Sequence, residues 1–173
     1  GETTENSYEY HKLEGIRLAT HDIYAQKGQQ TSLEAILDVA RIPSNATYGE
    51  IYAIQTGDDT DKAFVTPAGS IWAYEVGEVQ LTITTLEGDF RENVTLHVVD
   101  EANCTVRLHP RNGDDERTLY IPKGSVLVRP EDPTKAGKRF AGWYTDAGCT
   151  TPYDFTQSVT QDLDLYAKWA DGA

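Results

Sequence analysis

The sequence contains no methionine, not even at its first position, and no apolar run that approaches the roughly 18 residues of a membrane-spanning helix. It also lacks the charged start and apolar centre of a signal peptide. We therefore expect the 173-residue chain to be a processed or excised piece of a longer protein, with no direct insertion into a membrane.

Cysteine and histidine, the usual protein ligands of zinc, are scarce. The two cysteines, Cys104 and Cys149, have no C-x-x-C spacing, and the four histidines are scattered singly. No serine or cysteine stands in a nucleophile motif such as G-x-S-x-G. The sequence therefore predicts no catalytic residue, no cofactor and no enzyme. If the protein is exported, Cys104 and Cys149 are candidates for a disulfide that closes a loop of roughly 45 residues.

Basic residues are outnumbered, because 15 Lys and Arg stand against 28 Asp and Glu, a formal net charge of −13. The excess is concentrated in residues 1–100, which hold 6 basic and 17 acidic residues. This charge disfavours nucleic acid and anionic membranes as partners. It is equally what an ordinary soluble surface domain needs to stay unaggregated. Since 39% of the residues are hydrophobic, the chain can form compact cores.

Short runs of alternating apolar residues, separated by turns roughly every 8–12 residues, extend from about Leu13 to Val99. Within them, Val79, Leu81 and Ile83 share one face of a predicted strand. Many short strands with one apolar face each are typical of a β-sandwich.

Residues 31–40 are ambiguous in this pattern. Thr31-Ser-Leu-Glu34 has the form of a helix capping box, and a helical stripe follows at Leu33, Ile36, Leu37 and Ala40. A strand fits equally well, with Leu33, Ala35, Leu37 and Val39 on one face. Periodicity alone does not decide between the two.

Two aromatic motifs stand in the last third of the chain, Phe140-Ala-Gly-Trp-Tyr144 and Leu163-Asp-Leu-Tyr-Ala-Lys-Trp169. A proline-rich stretch, Pro130-Glu-Asp-Pro-Thr-Lys-Ala-Gly137, precedes them. In order and spacing these motifs resemble one unit of the Listeria–Bacteroides repeat, the B-repeat of listerial internalins. The resemblance implies a compact β-grasp-like unit with a short helix near 131–139. In so small a unit, the core must be formed largely by Phe140, Trp143, Tyr153, Phe155 and Trp169.

The first part of the chain carries other motifs: Ile42-Pro-Ser-Asn-Ala-Thr47, an A-x-V-x-x-x-G-x-I-x-A pattern over 63–73, and Gly77–Thr82 before a closing strand with alternate valines. These resemble a group 2 bacterial Ig-like domain. The resemblance implies a strand over 31–40. A tryptophan often found after the P-x-N-A-T turn is missing, so Tyr52 or Ile54 is expected to fill that part of the core.

The sequence thus predicts a mostly β chain with a polar tail (1–12), an Ig-like β-sandwich (13–100) and a β-grasp-like Listeria–Bacteroides repeat domain (103–170). The hinge Asp100-Glu-Ala-Asn103 has no Gly-Ser or Pro-rich spacer. We therefore expect the two domains to touch, or to keep a limited range of orientations.

The best candidates for ligand binding are Trp72 and Tyr74. They alternate with Ile71 and Ala73, so they point outward if those two residues face the core. A Trp/Tyr pair on one strand face makes a flat platform for stacking a sugar or anchoring a protein. The alternative is that the neighbouring domain, the tail or the other sheet covers them. Tyr166, on the outer face of the last strand, is a further candidate by the same argument.

Carboxylates cluster in two loops, and Asp58, Asp59 and Asp61 in the first of them are candidates for calcium binding, because calcium prefers clustered oxygens. The second cluster is Asp114, Asp115 and Glu116. Neither run has the spaced D-x-D-x-D-G pattern, and acidic loop tips are usually solvated, so we predict no metal site.

Both resemblances imply a non-catalytic module pair of a bacterial cell-surface or secreted protein, associated with the cell wall or outer membrane. Adhesion, protein interaction or a stalk is the expected role, with a protein or glycan at the cell surface as partner and a monomeric state. The alternative is a carbohydrate-binding or spacer module of a surface polysaccharide-processing protein.

Overall fold

The computed structural model describes residues 9–172. Within this range the chain forms thirteen strands and one helical turn, in the order β1 (Gly15–Leu18), β2 (Asp22–Gln26), β3 (Gln30–Ser32), α1 (Leu33–Ile36), β4 (Val39–Ile42), β5 (Ile51–Gln55), β6 (Ala63–Val65), β7 (Ser70–Ala73), β8 (Gly77–Thr85), β9 (Arg91–Val99), β10 (Asn103–His109), β11 (Arg117–Pro122), β12 (Lys138–Tyr144) and β13 (Leu163–Asp171).

A β-sandwich encloses the first core. One sheet has the order β2-β9-β8-β5 and the other β3-β7-β6, while β1 and β4 form a separate antiparallel ribbon. The longest pair, β8 and β9, is antiparallel, and β2 joins β9 in parallel. Along most of both strands every second residue is buried, because successive side chains of a strand point to opposite faces. The buried apolar set is Val79, Leu81, Ile83, Val94, Leu96 and Val98, and Thr84 and Thr85 are buried as well at the end of β8. The predicted mostly β, Ig-like sandwich is confirmed.

Residues 31–40 do not form the strand that the Ig-like resemblance implies. Strand β3 ends at Ser32, one helical turn follows at Leu33–Ile36, and β4 begins at Val39. The helical stripe explains this outcome, because Leu33 and Ile36 of the turn are buried while Ala35 is exposed. Ser32 occupies the N-cap position but makes no side-chain capping hydrogen bond.

The expectation that Tyr52 or Ile54 fills the core is wrong. Ala53 of β5 lies opposite Ile83, and both are buried. Since neighbours on a strand face opposite ways, Tyr52 and Ile54 lie on the outer face and are exposed.

The second core lies against one sheet of order β11-β10-β13-β12, in which the two central strands run parallel. Such a sheet is β-grasp-like, as the sequence predicts. The expected helix near 131–139 is absent, since residues 131–135 have no regular structure and β12 begins at Lys138. Pro130 and Pro133 account for this, because proline lacks the N–H that a helix needs and disfavours helical backbone in the residue before it.

Aromatic rings form much of this second core, as predicted. Trp143 and Tyr153 are buried, and Phe140, Phe155 and Trp169 pack against them. The rings of Phe140 and Trp143 meet edge to face with centroids 5.4 Å apart. A bulge at Phe140/Gly142 interrupts the pairing of β12 with β13, and Gly142 adopts a φ of 123° there.

The two cysteines are free thiols, so the suggested disulfide is not present. Val106 of β10 pairs with Leu163 of β13. Cys104 lies two residues before Val106, at the end of the sheet where β13 begins. The Cys149 sulfur lies 3.7 Å from the carbonyl oxygen of Ala167, towards the other end of the sheet. The thiols are thus separated by about six residues of strand, roughly 20 Å. Disulfide-linked Cα atoms lie within about 7 Å of each other.

Residues 1–8 of the predicted polar tail lie outside the described residues. From residue 9 the segment runs along the first sandwich without regular structure. The His11 backbone N–H donates to the Thr47 hydroxyl oxygen at 2.6 Å, and the Thr47 backbone N–H donates to the His11 carbonyl oxygen at 2.8 Å. Residues 9–12 are therefore tied to the sandwich.

Candidate functional site

The outer face of β7 carries Trp72, and Tyr74 follows directly after the strand. Ile71 and Ala73 are buried in the first core, so the alternation points Trp72 and Tyr74 away from it, as the sequence predicts. Trp72 is partly buried, whereas Tyr74 is 48% exposed. Their role in ligand binding remains a prediction.

Phe64 joins these two residues. It lies on β6 directly opposite Trp72, with ring centroids 6.2 Å apart and planes inclined at 40°. Its side chain is 46% exposed, while Ala63 and Val65 on either side are buried. Phe64, Trp72 and Tyr74 together are called the aromatic face below.

Sequence reasoning missed Phe64, although the signal was present. An aromatic residue between two small apolar ones is a short alternating strand with its aromatic side outward. What the sequence does not reveal is the register that sets Phe64 opposite Trp72.

Polar side chains border the aromatic face. On the other side of β7, Gln30 of β3 lies opposite Trp72, and Ser32 lies opposite Ser70. Gln30 and Ser32 are both exposed. An amide and hydroxyl groups beside an aromatic ring provide donors and acceptors next to a stacking surface.

A second group of polar contacts joins the two parts of the chain. The Asp38 carboxylate Oδ2 lies 3.3 Å from Arg117 Nε and accepts the backbone N–H of Thr118 at 2.9 Å. Arg117 Nη2 also donates to the carbonyl oxygen of Arg17 at 3.2 Å. Although Arg117 Nε is close to Asp38, it lacks the angle of a hydrogen bond, so that contact is an ion pair only.

The hinge is held from both sides. The Asn103 side chain donates to the carbonyl oxygen of Tyr24 at 2.8 Å, and the Gln26 side chain donates to that of Asp100 at 3.0 Å. Ala19, from the first part of the chain, packs against the second core. The predicted contact between the two parts is therefore present in the structure.

Tyr166, the further aromatic candidate, is already covered by neighbours. Its ring stacks on His109 with centroids 4.5 Å apart, and the Arg111 guanidinium lies 4.8 Å from its centroid. His109 is itself placed between Glu116 and Asp164, at 2.8 Å from each. This ring is less available for a ligand than the aromatic face.

The acidic loop with Asp58, Asp59 and Asp61 does not converge on a point. Within residues 9–172 no group of three or more His, Cys, Asp or Glu side chains is placed to hold a metal ion. Asp61 instead pairs with Lys62 at 3.2 Å. The calcium suggestion has no geometric support.

The carboxylates whose pKa departs clearly from the ordinary value stabilise loops. The pKa of Asp146 is lowered, first by the backbone N–H of Thr151 and then by the Thr150 hydroxyl. The pKa of Glu87 is lowered by the backbone N–H of Leu13 and the hydroxyl of Tyr10. The pKa of Asp154 is lowered in the same way, first by the Thr156 hydroxyl. Each of these carboxylates therefore fastens a turn or the entering chain.

Comparison with known proteins gives a match to the second part of the chain. None of the curated proteins matches the chain. No helix of the described residues has the length and apolar character to cross a membrane. The resemblance of residues 13–100 to a group 2 bacterial Ig-like domain has no family match behind it and stays a prediction. Residues 105–168, however, match the family model of the Listeria-Bacteroides repeat domain, a non-enzymatic repeat that occurs in bacterial surface proteins.

Proposed function

We propose that residues 13–100 and 103–170 are two non-catalytic domains of a bacterial cell-surface or secreted protein, acting outside the cell in adhesion or protein interaction. The main support for an interaction role is the exposed aromatic face. The match of residues 105–168 to a repeat of bacterial surface proteins supports the location.

The aromatic face has the properties of an interaction hot spot. Aromatic side chains contribute large contact areas and dominate the binding energy of many protein interfaces. Phe64 and Trp72 also pack against each other on paired strands, which limits their motion before a partner arrives. A partner therefore loses little side-chain entropy in binding them.

The contacts between the two parts support a stalk role alongside adhesion. The ion pair of Asp38 with Arg117 and the hydrogen bond of Asn103 to Tyr24 lie on either side of a short hinge. Such contacts favour one orientation, so that the chain would present the aromatic face at a set angle.

Carbohydrate binding is the second candidate, and the polar border of the aromatic face favours it. Sugars combine an apolar ring face with hydroxyl groups. Trp72 offers the stacking surface, and Gln30, Ser32 and Ser70 offer hydrogen-bonding groups on the neighbouring strand positions.

Binding of the purified chain to cell surfaces and to a glycan array tests both candidates. We expect the double variant Trp72→Ala/Tyr74→Ala to bind about tenfold or more weakly. The matched control is Tyr52→Ala, which removes an exposed aromatic ring from the other sheet. Binding to glycans supports the carbohydrate candidate, and binding to cells that survives removal of their glycans supports adhesion to protein. Unchanged binding of the double variant in every assay would contradict the role of the aromatic face.

A further inference from the structure

A long cleft lies between the two parts of the chain, away from the aromatic face. Its open volume is about 1450 Å³, and its walls include β1 and β4 on one side and β11 with the segment Ser125–Thr134 on the other. Pockets for small molecules are typically about 300–1,000 Å³. The size of this cleft suits a length of polypeptide better than a small molecule.

Both walls of the cleft carry exposed apolar side chains. Val126 is 51% exposed and Val128 is 84% exposed, and Ile42 of the opposite wall is exposed as well. Exposed apolar side chains on both walls of one cleft are available for contact with an apolar partner surface.

The backbone of residues 128–133, on one wall of the cleft, is also available for hydrogen bonding. Within the described residues, Val128–Pro133 make no backbone–backbone hydrogen bond. Backbone N–H and C=O groups are obligatory hydrogen-bonding groups, and an added extended peptide can pair with them. Val128 and Arg129 offer both a donor and an acceptor, whereas Pro130 offers only an acceptor.

A buried donor in the wall has no partner. The indole Nε1 of Trp143 is buried without a hydrogen bond in the described part of the chain, and Trp143, which is only 4% exposed, lines the cleft. Buried polar atoms are nearly always hydrogen-bonded, so this N–H can report on an acceptor, water or peptide, that reaches the wall.

The lining of the cleft has an excess of negative charge, which favours a peptide with basic residues. Its lining residues include eight carboxylates and four arginines. Five of the carboxylates lie in two segments, and two of them already pair with basic side chains, Glu116 with His109 and Asp132 with Arg129. Asn112 donates to the carbonyl oxygen of Thr134 at 2.9 Å and Lys135 to that of Arg111 at 3.1 Å. These two bonds hold the turn with Asp114, Asp115 and Glu116 beside the segment with Glu131 and Asp132.

We propose that this cleft binds an extended peptide segment of a partner protein that alternates basic and apolar residues. The apolar side chains, on one face of the peptide, pack on Val126, Val128 and Ile42, and the peptide backbone pairs with Val128 and Arg129. The basic side chains point to the opposite face, and those nearest the turn with Asp114 and Asp115 contact its carboxylates. This site is separate from the aromatic face, and the two proposals stand or fall independently.

The test uses three synthetic eight-residue peptides, alternating Lys-Val, Glu-Val and Lys-Ser, with the full chain. The Lys-Val peptide should bind saturably and shift the NMR signals of the Trp143 indole N–H and the Val128 amide. The other two peptides should bind about fivefold or more weakly, because each lacks the charge or the apolar side chains.

Matched charge variants separate the cleft from the general acidity of the chain. We expect Asp115→Asn/Glu131→Gln to weaken binding of the Lys-Val peptide about fivefold, and Asp58→Asn/Asp59→Asn, which removes the same charge elsewhere, less than about twofold. Val128→Ser should also weaken it, without disturbing the fold at so exposed a position. Equal loss in both charge variants, equal affinity for the Lys-Ser peptide, or no binding would each overturn the proposal.

Discussion

Asp38 and Arg117 form an ion pair between the two parts of the chain, with Asp38 Oδ2 and Arg117 Nε 3.3 Å apart. The same oxygen accepts the backbone N–H of Thr118 at 2.9 Å. The side chains are only 25% and 23% exposed, so water competes with this contact less than at a free surface.

Removal of the Asp38 carboxylate is expected to weaken the contact that fixes the orientation of the two parts relative to each other. Asp38→Ala leaves the Thr118 N–H without its acceptor and removes the ion-pair partner of Arg117. A double-mutant cycle with Arg117→Ala should give a coupling free energy of about 1 kcal/mol. Residual dipolar couplings measure the change, since the alignment tensors of the two parts should diverge in the variant. Asp61→Ala, which removes an exposed carboxylate that pairs only with its neighbour Lys62, is the control. Identical tensors in the Asp38 variant would show that other contacts set the orientation.

Gly142 in the Phe-x-Gly-Trp motif is required by its backbone conformation. At a φ of 123° an L side chain is strained, so Gly142→Ala should lower the free energy of unfolding of the second part by about 1–3 kcal/mol. Urea unfolding followed by the NMR signal of the Trp143 indole N–H, which belongs to the second part, measures this. Gly148→Ala is the control, because its φ is ordinary and the added Cβ meets no atom closer than 3.4 Å. Equal effects of the two substitutions would rule out strain as the cause.

Acid should release the loop that Asp146 holds. Because the folded-state pKa of Asp146 is lowered, first by the Thr151 N–H, its ionised form stabilises the fold. That contribution is fully present above the ordinary aspartate pKa of about 3.9 and is lost as the pH falls through the lower folded value. NMR titration should show the Thr150 and Thr151 amide signals changing together in that range. In Asp146→Asn this transition should disappear, whereas Asp58→Asn should leave it unchanged.

The cysteines should react as two separate thiols. Cys104 is buried and Cys149 is partly exposed, so a thiol reagent should modify Cys149 in the folded protein and Cys104 only after unfolding. Two thiols per chain should be counted in denaturant without reductant. A reductant should also leave the melting temperature unchanged; a drop on reduction would indicate a disulfide in solution.

The alternation of apolar and polar residues along each strand predicts most of the features that the sequence and the structure share. The outward position of Trp72, the inward positions of Val79, Leu81 and Ile83, and the aromatic core around Trp143 follow from strand periodicity and from the need to bury large apolar side chains. These features depend on neighbours in the sequence, so they are readable there.

Features that depend on contacts between residues distant in the sequence could not be predicted from the sequence. The missing tryptophan predicts Tyr52 or Ile54 in the core, but the pairing of Ala53 with Ile83 sets the inward face and leaves both exposed. The helical turn at Leu33–Ile36 likewise follows from how its apolar residues pack in the first core. In both cases packing against other strands overrides local preference.

The sequence by itself determined the mostly β class, the repeat-like character of residues 105–168 and the outward position of Trp72 and Tyr74, since each follows from motifs and period-2 patterns. Only the tertiary structure decided that Phe64 lies opposite Trp72, that Asp38 contacts Arg117 79 residues away and that the cysteines lie far apart. Strand register and the docking of one part on the other create these relationships, and both arise from contacts between residues that are remote along the chain.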